Sequence, residues 1–498
     1  MRSNKAITGI IRPLSLLLLC CSVFTLASCG FIVWNGGEKT PYETVLEETE
    51  PTDTVLPSVT LAEEAVPTQP KPADSLAHIK NADLSASSVI IATVDSTTVC
   101  PISSDNDPVI AARTGVKHRI EQKFDTTVVT AITDAKTMIE TARESFNSDM
   151  YYADLLLPHA KDVGQLYAEG LLANLYSLPH VNFEAEYYDI EMSSEAIAGN
   201  GIYAVSGAAN FNPDYLPCLF YNRKAAAELG LGDISQLVTD GGWTNDKFRE
   251  FSLAAKASLG IWGHGSASDL NDYTDLLSAA GGIDYVTSTY KKTPVIDYLE
   301  DGKSAKTHSI IEKISALIYS DDIYFKSSGD ECRSAFNTGN LLFMADGMYY
   351  SEWISDSSIE WGILPFPKNS EEDSYRTLIS GESPVFCALI NTPGYETSGL
   401  ILESLNAAAY GVTLEAYKNK LIDYTLRDSA SIKMLDVICE SAVNDFVHIY
   451  ASGFNSLESA TLTSVYKAVT TTRSVDQYYR NYRYTANSAL SSGVYAQD

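Results

Sequence analysis

Cysteine, histidine and tryptophan are scarce in this chain: its 498 residues hold eight, seven and five of them. No two cysteines stand at C-x-x-C spacing and the histidines follow no ligand-like pattern, which argues against a zinc site, a dithiol redox motif and a metal-uptake role. H-E-x-x-H, G-x-S-x-G and a phosphate-binding loop with its lysine are also missing, so no common catalytic signature is present. Basic residues are outnumbered 35 to 64, a formal net charge of −29. Such a chain is a poor partner for nucleic acid or an anionic lipid surface, and the charge reads as solubility. The apolar run from Leu14 to Leu26 is about 13 residues, too short to span ~30 Å of hydrocarbon as a helix.

That run belongs to a leader. Arg2, Lys5 and Arg12 precede it, and Leu26-Ala27-Ser28-Cys29 follows, resembling the lipobox of bacterial lipoproteins. The expectation is a signal peptide over 1–28, lipid on Cys29, and a protein held by that lipid on the extracytoplasmic face of the cell membrane. Residues 29–85 are acidic, Thr-rich and Pro-rich, as in Pro67-Thr68-Gln69-Pro70-Lys71-Pro72. Composition of this kind cannot bury enough surface to fold, so the segment reads as a disordered tether. Cys100, Cys218, Cys332, Cys387 and Cys439 are scattered and odd in number, and read as packed thiols.

Beyond the tether the pattern becomes that of a folded α/β chain. Val89 to Val94 is a short apolar run, read as a buried strand. Asp107-Pro108 supplies an N-cap and a first helical residue, with Val116, Ile120 and Phe124 on one face after it. Strands over 126–132 and 153–157 and helices marked by Met138, Ile139 and Ala142, then by Val163, Leu166 and Leu171, continue the alternation. Repeated strand–helix units predict a mainly parallel sheet, with ligands beyond the carboxyl ends of its strands. The loops after Val94 and Leu157 are therefore expected to line a site. Further helices are expected after Thr244 and near 309–319, 397–410, 413–422 and 431–446.

Several segments together resemble the extracellular solute-binding proteins of carbohydrate ABC transporters, family 1. They are Asp154-Leu155-Leu156-Leu157-Pro158-His159, Leu219-Phe220-Tyr221-Asn222-Arg223-Lys224 with Gly230-Leu231, Gly242-Trp243-Thr244 through Phe248, Phe336 through Met344 with Asp346-Gly347, and Trp361 through Pro367. Their order covers nearly all of residues 88–450. The resemblance implies a two-lobed, periplasmic-binding-protein-like α/β fold (type II), its lobes joined by crossing segments. Lobe 1 would comprise 86–218 and 382–438, and lobe 2 would comprise 219–381 and 439–498. It implies a monomeric, non-enzymatic protein without cofactor or metal, which captures a carbohydrate, in particular an oligosaccharide, and presents it to the transmembrane subunits of an ABC permease.

Sugar recognition calls for aromatic faces against pyranose rings and for planar polar groups that bond hydroxyls in pairs. Tyr349, after Asp346-Gly347, stands where the family places a stacking aromatic, and Trp353 lies one helical turn beyond. Asp269 and Asn271 precede Gly281-Gly282 at a position of polar contacts. His159 and Lys161 follow the third strand, Tyr215 precedes the first crossing, Glu382 sits at the second, and Asp95 ends the first strand. Trp243 reads as structural, at a helix start. Two alternatives stand beside this reading: a surface carbohydrate-active enzyme using two of the many carboxylates, and the same fold serving as a sensor or for another small solute.

Overall fold

The computed structural model describes residues 75–85, 88–102, 107–188, 196–354, 357–426, 428–471 and 473–493. The leader, Cys29 and most of the expected tether lie outside the described residues. The folded body nevertheless begins inside the segment expected to be tether. Leu76 and Ile79 are buried in the core, Arg119 Nη2 donates to Ser75 Oγ at 2.6 Å, and the Leu84 N–H donates to the Phe124 carbonyl at 3.0 Å. Two apolar anchors three residues apart are enough to dock 75–85, and the polar average composition conceals them.

Strand β1 (Ser88–Thr93) buries Val89, Ile91 and Ala92. It lies between β2 (Thr127–Ile132) and β3 (Leu155–Leu157), parallel to both, with Ile91 opposite Thr130 on one side and Leu155 on the other. Helix α1 (Pro108–Phe124) starts as its sequence predicts. The Asp107 carboxylate accepts from the Val109 and Ile110 amides, and Val116, Ile120 and Phe124 face the core. Helix α2 (Ala135–Ser148) is capped in the same way by Asp134. Helix α3 (Val163–Ala168) is shorter than its apolar spacing suggests, because Gly170 turns the chain at φ +72°. Bridges from Leu156 to Cys387 and from Phe386 to Val205 widen this first sheet with later chain.

The chain leaves the first sheet at Tyr215 and enters β4 (Pro217–Asn222), every residue of which is buried. Helix α4 (Asn245–Ala254) is capped by Thr244. Just before it, Trp243 is fully buried and donates from Nε1 to the Pro365 carbonyl at 3.0 Å, the structural role expected of it. Strand β5 (Trp262–Ser266), α5 (Leu270–Gly281), β6 (Tyr324–Phe325), α6 (Gly329–Asn337), β7 (Leu341–Gly347), α7 (Tyr350–Ile354) and β8 (Trp361–Leu364) complete the second sheet. Its order is β6-β5-β7-β4-β8, with β4 antiparallel to both neighbours.

The return passage begins at β9 (Thr377–Leu378) and leads to α8 (Tyr395–Ala409) and α9 (Thr413–Tyr424), both packed on α1. The next helix, α10 (Ser429–Glu440), packs on β8 and not on the first sheet, where a boundary at 438 would put it. Arg223 holds its N-cap there, Nη2 to Asp428 Oδ2 at 2.7 Å. The single helix expected over 431–446 is broken at Ser441, and β10 (Ala442–Val443) pairs in parallel with β9. Then α11 (Phe446–Tyr450) turns back onto α3. A Cβ at Gly453 would fall 2.0 Å from the Gly164 carbonyl, so only glycine permits this approach. Helices α12 (Leu457–Ala460), α13 (Leu462–Thr470) and α14 (Val475–Gly493) follow, α13 packing on α5.

The five cysteines among the described residues are unpaired; four are buried and Cys439 is half-buried. Among the described residues no helix is long and apolar enough to cross a membrane.

Candidate functional site

The two sheets point the carboxyl ends of β1, β3, β5 and β7 at a common cleft of about 1410 Å³. Pockets for drug-sized ligands measure roughly 300–1,000 Å³, so this cleft has room for a larger one. The loop after β1 lines it with Val94 to Thr97, and the turn after β3 contributes Lys161.

On the first wall, Asp95 is held from three directions. It accepts from the Thr97 amide at 2.6 Å, from the Thr97 and Thr98 hydroxyls, and from the Tyr215 hydroxyl at 2.7 Å. Burial alone would raise its carboxyl, but these hydrogen bonds outweigh it and hold it below the usual range. Asp95 therefore stays ionised and fixes the Tyr215 ring at the mouth of the first crossing. Lys161 pairs with Glu382 from the return passage. Tyr349, Asp269, Asn271, Lys161, Tyr215, Glu382 and Asp95 all line the cleft.

His159 and Trp353 do not line it. His159 Nδ1 meets the Glu382 carbonyl at 2.6 Å, so the ring backs Glu382 and does not face the opening. Trp353 is 76% exposed. The shared-face argument fails because Tyr349 precedes α7, so the two side chains do not sit one turn apart on a helix.

On the second wall, Asp346 is the penultimate residue of β7 and is 4% exposed. Arg333 from α6 clamps it with Nε to Oδ2 at 2.7 Å and Nη2 to Oδ1 at 3.1 Å, and donates to the Tyr349 hydroxyl at 2.6 Å. The bidentate bond to Asp346 raises the already high guanidinium pKa further. A Cβ at Gly347 would meet the Tyr349 ring at 2.5 Å, so the glycine leaves the space that the ring occupies. Tyr349 remains 43% exposed, as a stacking platform requires.

Helix α5 supplies the floor. Asp269 caps it, accepting from the Asn271 and Asp272 amides at 2.8 and 3.0 Å. Asp272 and Asp275 follow at spacing three. Asp275 Oδ2 lies 3.9 Å from His448 Nε2, and His448 Nδ1 lies 3.3 Å from Asp445 Oδ1. Burial pushes the Asp275 carboxyl up to about 7; His448 opposes this, and Asp272, Asp445 and Glu458 reinforce it. Sequence reasoning passed over Asp272 and Asp275, although a D-x-x-D-x-x-D pattern on a capped helix was there to read. His448, Tyr466 and Lys467 also line the cleft, brought in by α11 and α13 from the far end of the chain. Nothing local in sequence marks them. Among the described residues no three His, Cys, Asp or Glu side chains converge as a metal ion would need.

Two sheets facing one cleft across crossing segments define the fold of the two-lobed solute-binding proteins. Solved structures bear this out at low identity. The GacH receptor of Streptomyces glaucescens, described with acarbose, matches at a TM-score of 0.52 and 14% identity over 81% of this chain and 99% of its own. The maltose-binding protein MalE of Listeria monocytogenes, in complex with maltose, matches at 0.53 and 12%, over 81% and 98%. UgpB of Mycobacterium tuberculosis, in complex with glycerophosphocholine, matches at 0.52 and 14%, over 81% and 98%. No family model and no curated protein matches the sequence.

Proposed function

We propose that this chain is an extracellular solute-binding protein, lipid-anchored through Cys29, that captures a carbohydrate and delivers it to an ABC importer. The observation that carries the reading is the Tyr349 platform, held over Gly347 by Arg333 at the edge of a two-walled cleft rich in hydroxyl-accepting carboxylates. The volume favours an oligosaccharide over a single sugar. Closure of the walls on the ligand, a hinge motion, would present the closed form to the permease.

Four of the cleft carboxylates are committed elsewhere: Asp346 to Arg333, Asp95 to its hydroxyl and amide donors, Asp269 to its cap and Glu382 to Lys161. A glycosidase needs an acid and a base free to act on the scissile bond, and these four do not supply them. A second reading, the same fold serving another small solute, is favoured by the match to a protein solved with glycerophosphocholine.

Thermal unfolding against a panel of mono- and oligosaccharides tests the carbohydrate reading. A ligand at 100 times its dissociation constant adds about 2.7 kcal/mol of stability. No shift from any saccharide, with a shift from another solute class, sinks it.

A further inference from the structure

Helix α9 belongs to the first half of the molecule, packed on α1, yet it bonds to the second. Lys420 Nζ lies 2.6 Å from Asp107 Oδ2 and 2.5 Å from Glu352 Oε1. Asp107 caps α1, the helix that follows the β1 loop of the first wall. Glu352 is in α7, which starts directly after the Tyr349 platform of the second wall. One ammonium therefore joins the two elements that adjoin the facing walls. The Lys420 side chain is 18% exposed, so water and salt screen the pair less than they screen a surface bridge.

The place of this bond decides what it does. Lys420, Asp107 and Glu352 are not among the lining residues, so a solute in the cleft does not displace them. Their neighbours are: Asp214 and Tyr349 both line the cleft. Asp214 Oδ1 accepts from the hydroxyl of Tyr417, one turn before Lys420, at 2.6 Å. The pair thus flanks the cleft. A bond across the flank is stretched when the walls part, so it opposes opening and leaves the contacts to the solute as they are.

We propose that Lys420 is a positioning residue for solute binding. By clasping Glu352 it sets the gap between the Tyr349 wall and the Asp95 wall, and it slows the parting of the walls that releases the solute. The inference rests on the reading of the cleft as a solute site and requires no particular solute.

The test is hydrogen exchange on the full-length chain without solute, read over Val94 to Thr98 and Gly347 to Tyr349. Both walls carry bonded amides there: the Thr97 N–H donates to Asp95, and the Met348 N–H donates to the Leu216 carbonyl of the first crossing at 2.9 Å. Glu352→Gln cuts the bond across the flank and leaves Lys420 on Asp107. It is expected to speed exchange at both walls by at least about threefold and to leave α2 unchanged. Lys420→Met does the same, and adding Glu352→Gln to it has no further effect. Lys418→Met, which cuts the neighbouring bond to Asp436 on α10, a helix with no residue in the cleft, leaves both walls unchanged. In stopped-flow experiments Glu352→Gln is expected to release a glucose tetrasaccharide at least about threefold faster, with the association rate moving less. Unchanged exchange or unchanged release in Glu352→Gln overturns the inference and leaves the carbohydrate reading standing. Exchange that rises in α2 as much as at the walls also overturns it, because the pair then supports the fold and not the gap. Faster exchange confined to the walls, with no binding of this or any other saccharide, supports the clasp and overturns the carbohydrate reading.

Discussion

Arg333 grips Asp346 through two hydrogen bonds, 2.7 and 3.1 Å long, and the same guanidinium donates to the Tyr349 hydroxyl. A buried carboxylate, a cation and a solvent-facing ring thus form one unit. The arginine gives Asp346 a bidentate partner inside the wall and keeps the ring from swinging away from it.

Removing the arginine separates these roles. Arg333→Ala leaves Asp346 buried and unpaired, which is expected to cost about 3–5 kcal/mol in urea denaturation. Arg333→Lys restores the charge but not the fork, and its loss is expected to be smaller, about 1–2 kcal/mol. Equal stability of the lysine variant and the native chain would mean the bidentate geometry contributes nothing.

Tyr349→Ala is expected to weaken the best saccharide ligand by roughly 1–3 kcal/mol, as aromatic truncations at binding sites do. The ring is 43% exposed, so the unfolding midpoint should move little. Tyr349→Phe keeps the stacking face and loses only the bond from Arg333, and should retain most of the affinity. An unchanged dissociation constant in the alanine variant removes Tyr349 from the site.

Trp353→Ala provides the contrast. A side chain 76% exposed and away from the cleft should alter stability by no more than about 0.5 kcal/mol. Ligand affinity, measured in the same titrations, should not change.

The Asp275 carboxyl makes stability depend on pH in a stated direction. Folding raises it to about 7, against an unfolded value near 4. Between those values the folded chain binds more protons than the unfolded one, so stability falls as pH rises through the window. Asp275→Asn removes that loss. The expected gain is roughly 1–3 kcal/mol above pH 7, with little effect below about pH 4. Denaturation curves across this range read it directly, and a variant less stable than the native chain at about pH 8 contradicts the assignment.

Much of the first sheet was legible because its signals are local. Asp107-Pro108 caps and starts a helix, Val89 to Val94 form a short apolar run that reads as a buried strand, and both act within a few residues of themselves. Asp95, Tyr215, Glu382 and Lys161 were legible as site candidates because strand ends and crossings follow from the topology. The rest depended on contacts across long stretches of chain. Trp353 was placed by helical spacing from a residue that turns out not to be helical. The break at Ser441 was hidden because Ala442 and Val443 fit a helix as well as a strand, and only pairing with Thr377 and Leu378 decides between them. Leu76 and Ile79 were lost in the average of a polar segment, and His448 and Tyr466 reach the cleft only through α11 and α13.

The passages between the two halves also determine how they can move. The Ser380 N–H donates to the Tyr215 carbonyl at 3.0 Å and the Ile379 N–H to the Val443 carbonyl at 2.9 Å, so three separate crossings are laced side by side. A joint made of parallel strips bends readily about their common line and resists twisting and sliding. The proposed opening and closing would then approach a single degree of freedom, like a door on several pins and unlike a ball in a socket. Under that motion each wall residue would meet the same opposite number on every stroke, and the cleft would check the length of a solute as well as its chemistry.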